Sequence, residues 1–283
     1  MIVVTGATGN VGRPLVEALA AAGRQVTAVS RNAAAGPGAA PAQVRHHRAD
    51  LASPESLRPA LDGAEALFLH DTGAGAHLLN VPAILDAAKA GGVARIVLLS
   101  SQGVATRPQS ASHGAAGRAM EEAVRQSGAD WTILRPGGFA SNAYAWAEPV
   151  RTHRTVAAPF GDVGLPVVDP ADIADVAAIA LYEDGHAGAT YELTGPALTT
   201  PRQRARTLAD LLGERVDFVE QTADEARAQM RRFMPDPVID TTLAILGEPT
   251  PAEQRISPVT EQLLARPART FADWAGRNIA AFR

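Results

Sequence analysis

Glycines at positions 6, 9 and 12, set between an apolar run and a helical pattern, are the residues of this chain best suited to meeting an anion. In Thr5-Gly6-Ala7-Thr8-Gly9-Asn10-Val11-Gly12 the spacing serves a tight turn, a close approach of backbone to a pyrophosphate, and close packing of helix on strand. The anion would sit on free N–H groups at the positive end of a helix dipole. Ile2-Val3-Val4 supplies a strand before the turn, and Val11, Leu15 and Leu19 recur every four residues after it, as one buried helical face requires. Pro14 falls in the first helical turn, where its missing N–H breaks no helical bond. Gly6, Gly9 and Gly12 are therefore expected to shape a dinucleotide site that Thr8, Asn10 and Val11 line.

The next informative residues lie where later strands end. Ala28-Val29-Ser30-Arg31-Asn32 carries no carboxylate to hold a ribose 2′-hydroxyl, while Arg31 offers a fork of donors suited to a 2′-phosphate. That favours NADPH/NADP+ over NADH; the alternative is that Arg31 is a solvated loop residue. Asp50-Leu51 follows the third strand, and the carboxylate could accept a bond from an adenine amino group or help start the next helix, with Ser53 as N-cap and Pro54 in the first turn. His70 and Asp71 stand at the carboxyl edge of the fourth strand, where ligands bind in open parallel sheets. Asp71 could orient His70 there.

Two apolar groups are candidates for a substrate pocket. Phe139, Asn142, Tyr144 and Trp146 gather aromatic faces and a few polar atoms after the sixth strand, in a chain with only 5% aromatic residues, and Gly137 begins the segment that should pass the cofactor. Met230, Phe233 and Met234 could form an adaptable lid. For both groups core packing is the competing explanation. Ser100, Ser101 and Gln102 follow the fifth strand, the first placed at the cofactor and the other two at the substrate.

These residues need a scaffold, and strand and helix patterns alternate through the first two thirds of the chain. Strands are expected at Met1 to Thr5, Gln25 to Ser30, Val44 to His47, Ala66 to Leu69, Arg95 to Ser100 and Trp131 to Leu134, with later ones at Thr190 to Thr194 and Arg215 to Glu220. Leu78, Val81, Leu85 and Ala88 mark a helix that Gly91-Gly92 stops, and Asp169-Pro170 opens another through Ile173, Val176, Ala177 and Ala180. The pattern is α/β, a doubly wound Rossmann-type parallel sheet with helices on both faces and a smaller, mostly helical C-terminal cap. We expect a dinucleotide-binding domain over 1–150, with 165–195 returning to it, and a cap made of 196–283 with 151–164. Ala33 to Gln43, rich in Ala, Gly and Pro, reads as an exposed connection.

Composition excludes several classes. With 283 residues, 46% hydrophobic, 20% charged and a formal charge of −4, the chain can bury a large core and has no electrostatic reason to bind nucleic acid. The absence of cysteine removes disulfides, thiolate nucleophiles and cysteine metal sites, and the seven histidines lack a His-Glu-x-x-His spacing, so no metal is expected. No apolar run approaches the roughly 20 residues of a membrane span. The first strand starts at once, which predicts no signal peptide and a cytoplasmic protein. The expected partners are a small aromatic molecule, from the Phe139 to Trp146 group, and, as an open possibility, a second copy of the chain in a homodimer.

Thr5 to Gly12, Ser100-Ser101-Gln102-Gly103, and the run Ser127-Gly128-Ala129-Asp130-Trp131-Thr132-Ile133-Leu134-Arg135-Pro136-Gly137-Gly138-Phe139-Ala140-Ser141-Asn142 together resemble the NmrA-like group of atypical short-chain dehydrogenase/reductases. Asp172-Ile173-Ala174 and Arg269-Thr270-Phe271-Ala272-Asp273-Trp274 are similar to the same group. The resemblance spans nearly the whole chain and implies the fold and an NADPH cofactor. The group it points to includes quinone oxidoreductases, triphenylmethane-dye and isoflavone-type reductases, and regulators that bind the cofactor without turnover, so the reaction does not follow from it.

Short-chain dehydrogenases that reduce carbonyls generally use Tyr-x-x-x-Lys, the lysine lowering the pKa of a tyrosine that protonates the substrate oxygen. This chain cannot supply the pair: its lysine, Lys89, follows Leu85 by four, and Tyr144, Tyr182 and Tyr191 are followed four on by Glu148, His186 and Gly195. Where the motif belongs stand His113 and Gly117. Three explanations stay open. His113 could donate the proton, with a helix-start role capped by Ser112 as its competitor. The acceptor could be a quinone or conjugated cation whose product takes a proton from water. Or there could be no turnover, as in a redox-sensing regulator. A biosynthetic isomerase using the cofactor transiently is a further alternative, and a hydrolase built on Ser101, His70 and Asp71 lacks the Gly-x-Ser-x-Gly elbow.

Overall fold

The computed structural model describes residues 1–32, 41–70 and 79–283. Most of the Ala33 to Gln43 connection, Asp71 and Leu78 lie outside the described residues. Strand β1 (Ile2–Thr5) leads through the glycine turn into helix α1 (Gly12–Ala21) and then β2 (Val26–Ser30), and both strands are buried at every position. Such continuous apolar runs are what parallel strands covered on both faces require. β3 (Val44–Arg48), with sequence Val-Arg-His-His-Arg, is partly exposed and forms one edge.

A short 3-10 turn (Pro54–Leu57) and α2 (Arg58–Leu61) lead to β4 (Ala66–His70), α3 (Val81–Ala90) and β5 (Arg95–Leu99). Asn80 caps α3 by accepting from the Ala83 amide, and Gly92, at φ +94°, turns the chain out of it. α4 (Gly103–Thr106), a π-helical turn (Ala111–Ala115) and α5 (Ala116–Arg125) precede β6 (Asp130–Pro136). The seven-stranded sheet is completed by β8 (Ala189–Leu193), in the order β3-β2-β1-β4-β5-β6-β8, and the five strand pairs from β3 across to β6 are parallel. The order reverses at β1, between β2 and β4. Ligands bind at the carboxyl ends of the strands beside such a switch point, where Gly6 and His70 stand.

The remaining elements are α6 (Ala147–His153), β7 (Thr155–Pro159), α7 (Pro170–Tyr182), α8 (Pro201–Leu212), β9 (Asp217–Gln221), α9 (Ala223–Met230), α10 (Asp236–Gly247), α11 (Val259–Leu264) and α12 (Phe271–Asn278). Thr200, Thr222 and Thr270 close capping boxes with Gln203, Glu225 and Asp273 at the starts of α8, α9 and α12. Each such cap stabilises its helix by about 1 kcal/mol.

The chain forms two compact units. The first comprises Met1–Val104, Ala115–Arg135 and Pro170–Glu192, the second Ala105–Gly114, Pro136–Asp169 and Leu193–Arg283. In the first, Val3, Leu67, Ile96, Leu98 and Ile133 of the sheet meet Leu57, Ile84, Met120 and Val124 of the helices. In the second, Val150, Val156, Leu208, Phe271, Trp274 and Phe282 share a core.

Three details differ from expectation. β7 was not foreseen; it pairs in parallel with β9, which runs Asp217–Gln221 in place of Arg215 to Glu220. Ser53 occupies the N-cap position but makes no capping bond. The Ser56 hydroxyl shares its hydrogen between Ser53 O (2.7 Å) and Asp50 O (3.1 Å) and accepts from the Asp50 amide, which ties this turn to the end of β3.

Candidate active site

The glycine turn has the backbone that its sequence demands. Gly6 lies at φ +62°, a region that favours glycine, and a Cβ on it would collide with the His70 ring. A Cβ on Gly12 would strike the Gly6 carbonyl, where the helix meets the strand most closely. The Gly9 amide donates to Gly6 O at 2.8 Å and closes the turn, leaving Thr8, Gly9 and Asn10 exposed. Helix α1 starts with Val11 at its N-cap, no side-chain cap and no acidic residue in its first turn. The amides of Val11 and Gly12 donate to no partner among the described residues. An uncapped helix start beside a cradle with no room for side chains fits the phosphates of a dinucleotide.

Around the cradle, Arg31 directly follows β2 and is exposed, with no ion-pair partner among the described residues. Asp50 Oδ1 accepts from the Ala52 amide at 3.0 Å, so part of this carboxylate holds the turn after β3, and Leu51 is buried beneath it. His70 packs its ring against Gly6 and thereby forms part of the cradle's floor.

The sequence reading missed the most heavily bonded group of the first unit. Glu121 on α5 is fully buried, and its carboxylate accepts from Ser100 Oγ (2.6 Å), from Arg135 Nε and Nη2 (2.9 and 2.6 Å), and from Arg125 Nη2 (2.9 Å). Burial alone would raise its pKa, but the bonds from Arg135, Ser100 and Arg125 prevail and hold it below the ordinary carboxylate range. Ser100, assigned to the cofactor from sequence, thus commits its hydrogen to Glu121 and keeps its lone pairs for a donor. The signal for Glu121 was available: Gly117, Met120, Glu121 and Val124 stand at the spacing of one helical face, three of them buried.

His113 lies in the π-helical turn of the second unit, half-buried, its Nδ1 2.8 Å from Ser112 Oγ. Its amide donates to Ser110 Oγ at 3.1 Å, so the capping hydroxyl here is that of Ser110 and not Ser112. Ser112 instead donates to Pro237 O. A cavity of about 420 Å³ opens beside this turn, lined by Arg107, Ser110, Asp240 and Thr241 among others, and none of the expected substrate residues lines it. In the first unit, a Cβ on Gly117 would lie 2.6 Å from Val104 Cγ2, so a side chain at the position that would carry a lysine would require Val104 to shift.

The expected pocket residues divide between packing and exposure. Gly137 donates to Leu193 O, and Phe139, half-buried, bridges to Val168 in extended conformation. Tyr144 stands edge-on to Trp274 at 5.0 Å and donates to Asn278 Oδ1, while remaining 39% exposed. Trp146 packs on the same core, and Asn142 is exposed. Met230 and Met234 pack against Ala226, Ile239 and Leu243, whereas Phe233 is 73% exposed between α9 and α10. Ser101 Oγ accepts from the Gly103 amide, and Gln102 is buried. Among the described residues no cluster could hold a metal ion, and no helix is long and apolar enough to cross a membrane.

Comparison with known proteins bears on this geometry. A family described as NAD(P)H-binding matches residues 6–184. Over its whole length the chain is 35% identical to a (4-alkanoyl-5-oxo-2,5-dihydrofuran-3-yl)methyl phosphate reductase of Streptomyces griseus, covering 99% of that protein. It is 30% identical to the NAD(P)H azoreductase of Xenophilus azovorans, covering all of this chain and 99% of the relative. The crystal structure of the Escherichia coli NADPH-dependent quinone oxidoreductase QOR2 with NADPH superposes with a TM-score of 0.76 at 27% identity, covering 99% of each chain.

Proposed function

The chain belongs to the NAD(P)H-binding, NmrA-like atypical short-chain dehydrogenase/reductases and is an NAD(P)-dependent oxidoreductase, and from that premise we propose that it is an NADPH-dependent reductase of flat, electron-poor conjugated molecules, quinones or related compounds. The observation that carries this reading is a phosphate cradle without side chains at Gly6 and Gly12 in a chain that has no Tyr-x-x-x-Lys pair and carries Gly117 where the lysine would stand. Reduction of an isolated carbonyl produces a strongly basic alkoxide and calls for a positioned acid. Reduction of a conjugated acceptor spreads the new charge over the π system, and a weak acid suffices.

The relatives' names agree with that chemistry. Azo compounds, quinones and an acylated unsaturated lactone bearing a phosphate are all conjugated molecules.

Gly6, Gly9 and Gly12 would admit the pyrophosphate to the amides of Val11 and Gly12, with Thr8 and Asn10 at its rim. Arg31 would take the 2′-phosphate through its guanidinium fork, and Asp50 and Leu51 would border the adenine. Ser100, its hydrogen held by Glu121, would accept from a cofactor hydroxyl or amide. When bound, the dihydronicotinamide supplies a hydride. His113 would give the proton, its ring oriented through Nδ1 by Ser112, and a π-helical turn is a recurrent setting for functional residues. Phe139, Tyr144, Trp146 and the exposed Phe233 offer the apolar surface for a flat acceptor.

Purified protein mixed with NADPH and a panel of quinones tests the reading. We expect NADPH consumption with several quinones and none with saturated ketones. Binding of NADPH with no consumption across the panel would overturn it.

A further inference from the structure

Most buried charges in the second unit are neutralised in place: Glu253 accepts two bonds from Arg107 at 2.8 Å, and Asp169 faces Arg277. Arg204 is different. It lies on α8 and is only 7% exposed, yet it has no carboxylate partner among the described residues. Its one hydrogen bond is a long one, Nε to Thr200 O at 3.4 Å, and its guanidinium carbon stands 5.4 Å from the centre of the Trp146 ring. Two effects oppose a cation there. Burial pushes its pKa down to about 10, and a positive charge one turn into a helix sits at the wrong end of the dipole.

Buried charges are normally paired. The Trp146 face gives partial compensation, but the terminal nitrogens, which carry the bidentate donor edge, bond to no described residue. They are not sealed off either: the side-chain polar atom fully enclosed without a partner among the described residues is Thr260 Oγ1, and Arg204 is not among such atoms. An anion reaching that edge would find a desolvated, preformed fork, the arrangement in which guanidinium binds phosphate and carboxylate most strongly.

We propose that Arg204 is an anion anchor, holding a phosphate, sulfonate or carboxylate group carried by the acceptor. This rests on the assignment of the protein as a reductase of conjugated acceptors, and it narrows the substrate class to conjugated molecules bearing an anionic substituent.

The test compares 2-methyl-1,4-naphthoquinone, which is neutral, with 1,2-naphthoquinone-4-sulfonate. In Arg204→Met the KM for the sulfonate is expected to rise at least tenfold while that for the neutral quinone changes less than twofold, with Arg204→Lys between Met and the wild type. In the wild type, inorganic phosphate should compete with the sulfonate and leave the neutral quinone unaffected, a result that needs no variant to fold. Calorimetric titration of the sulfonate, with NADP+ present so that nothing turns over, should show the same weakening in Arg204→Met. Equal changes for the two quinones would overturn the proposal. So would a loss of NADPH affinity in Arg204→Met without a change of selectivity, which would assign the guanidinium to the cofactor. If neither quinone is reduced by the wild type, the reductase assignment fails, and the titration still decides the role of Arg204.

Discussion

Glu121 and Arg204 occupy like positions in two helices of the two units and have opposite surroundings. Each stands on an apolar helical face, Glu121 with Met120 and Val124 on α5, Arg204 with Pro201, Ala205 and Leu208 on α8. Glu121 is met by two guanidinium groups and a hydroxyl, whereas Arg204 has a ring face and one long bond. The difference separates a charge that serves the architecture from one held for a ligand. A satisfied buried charge ties its own neighbours together, here α5 to β5 and β6. One that the fold leaves unsatisfied costs stability, and binding can recover that cost.

The comparison can be broken most forcefully at Glu121. Glu121→Ala leaves Arg125 and Arg135 without their shared acid and should lower unfolding stability by about 3–5 kcal/mol, read by urea denaturation. A loss below about 1 kcal/mol would mean that this cluster holds little together. Acid offers a second route. The folded pKa values of Glu121 and Glu253 lie below 4.5, so the stability that they contribute is present above that pH and disappears as pH falls through the lowered folded values. The urea midpoint should therefore decline from about pH 4.5 downward, and that decline should be shallower in Glu121→Gln.

The cofactor side sharpens the contrast with an exposed charge. Arg31→Ser should reduce the preference for NADP+ over NAD+ about tenfold or more, as loss of hydrogen bonds to a charged group implies, in a titration of both nucleotides. Equal affinities in the wild type would remove Arg31 from its role. The smallest effect belongs to Arg204→Met without ligand. Replacing a desolvated, unpaired cation by an apolar side chain of similar length should leave stability unchanged or raise it by about 1 kcal/mol.

The parallel sheet was legible because β1, β2, β4 and β5 carry apolar runs between glycine and proline punctuation, and the glycine turn because Gly6 and Gly12 sit where a Cβ cannot. β7 was not, since Thr155 to Pro159 is short and gains its pairing from β9, far along the chain. Glu121 and Arg204 escaped for a different reason. A charged residue in a helix is read as solvated by default, and only its phase against Val124 or Leu208 shows that it points inward. Whether such a residue is then paired depends on other elements, as with Arg135 at the end of β6, and no local pattern encodes that.

The central claim, that Arg204 is kept for the anion of a conjugated acceptor, is tested most directly by thermodynamic linkage. The urea midpoint of the protein saturated with NADP+ would be followed as 1,2-naphthoquinone-4-sulfonate is added. The account predicts a stabilisation in the wild type that grows with ligand concentration, reaching about 2.7 kcal/mol at a hundredfold excess over Kd, and a nearly flat response in Arg204→Met. Equal stabilisation of both proteins, or none in either, would contradict it.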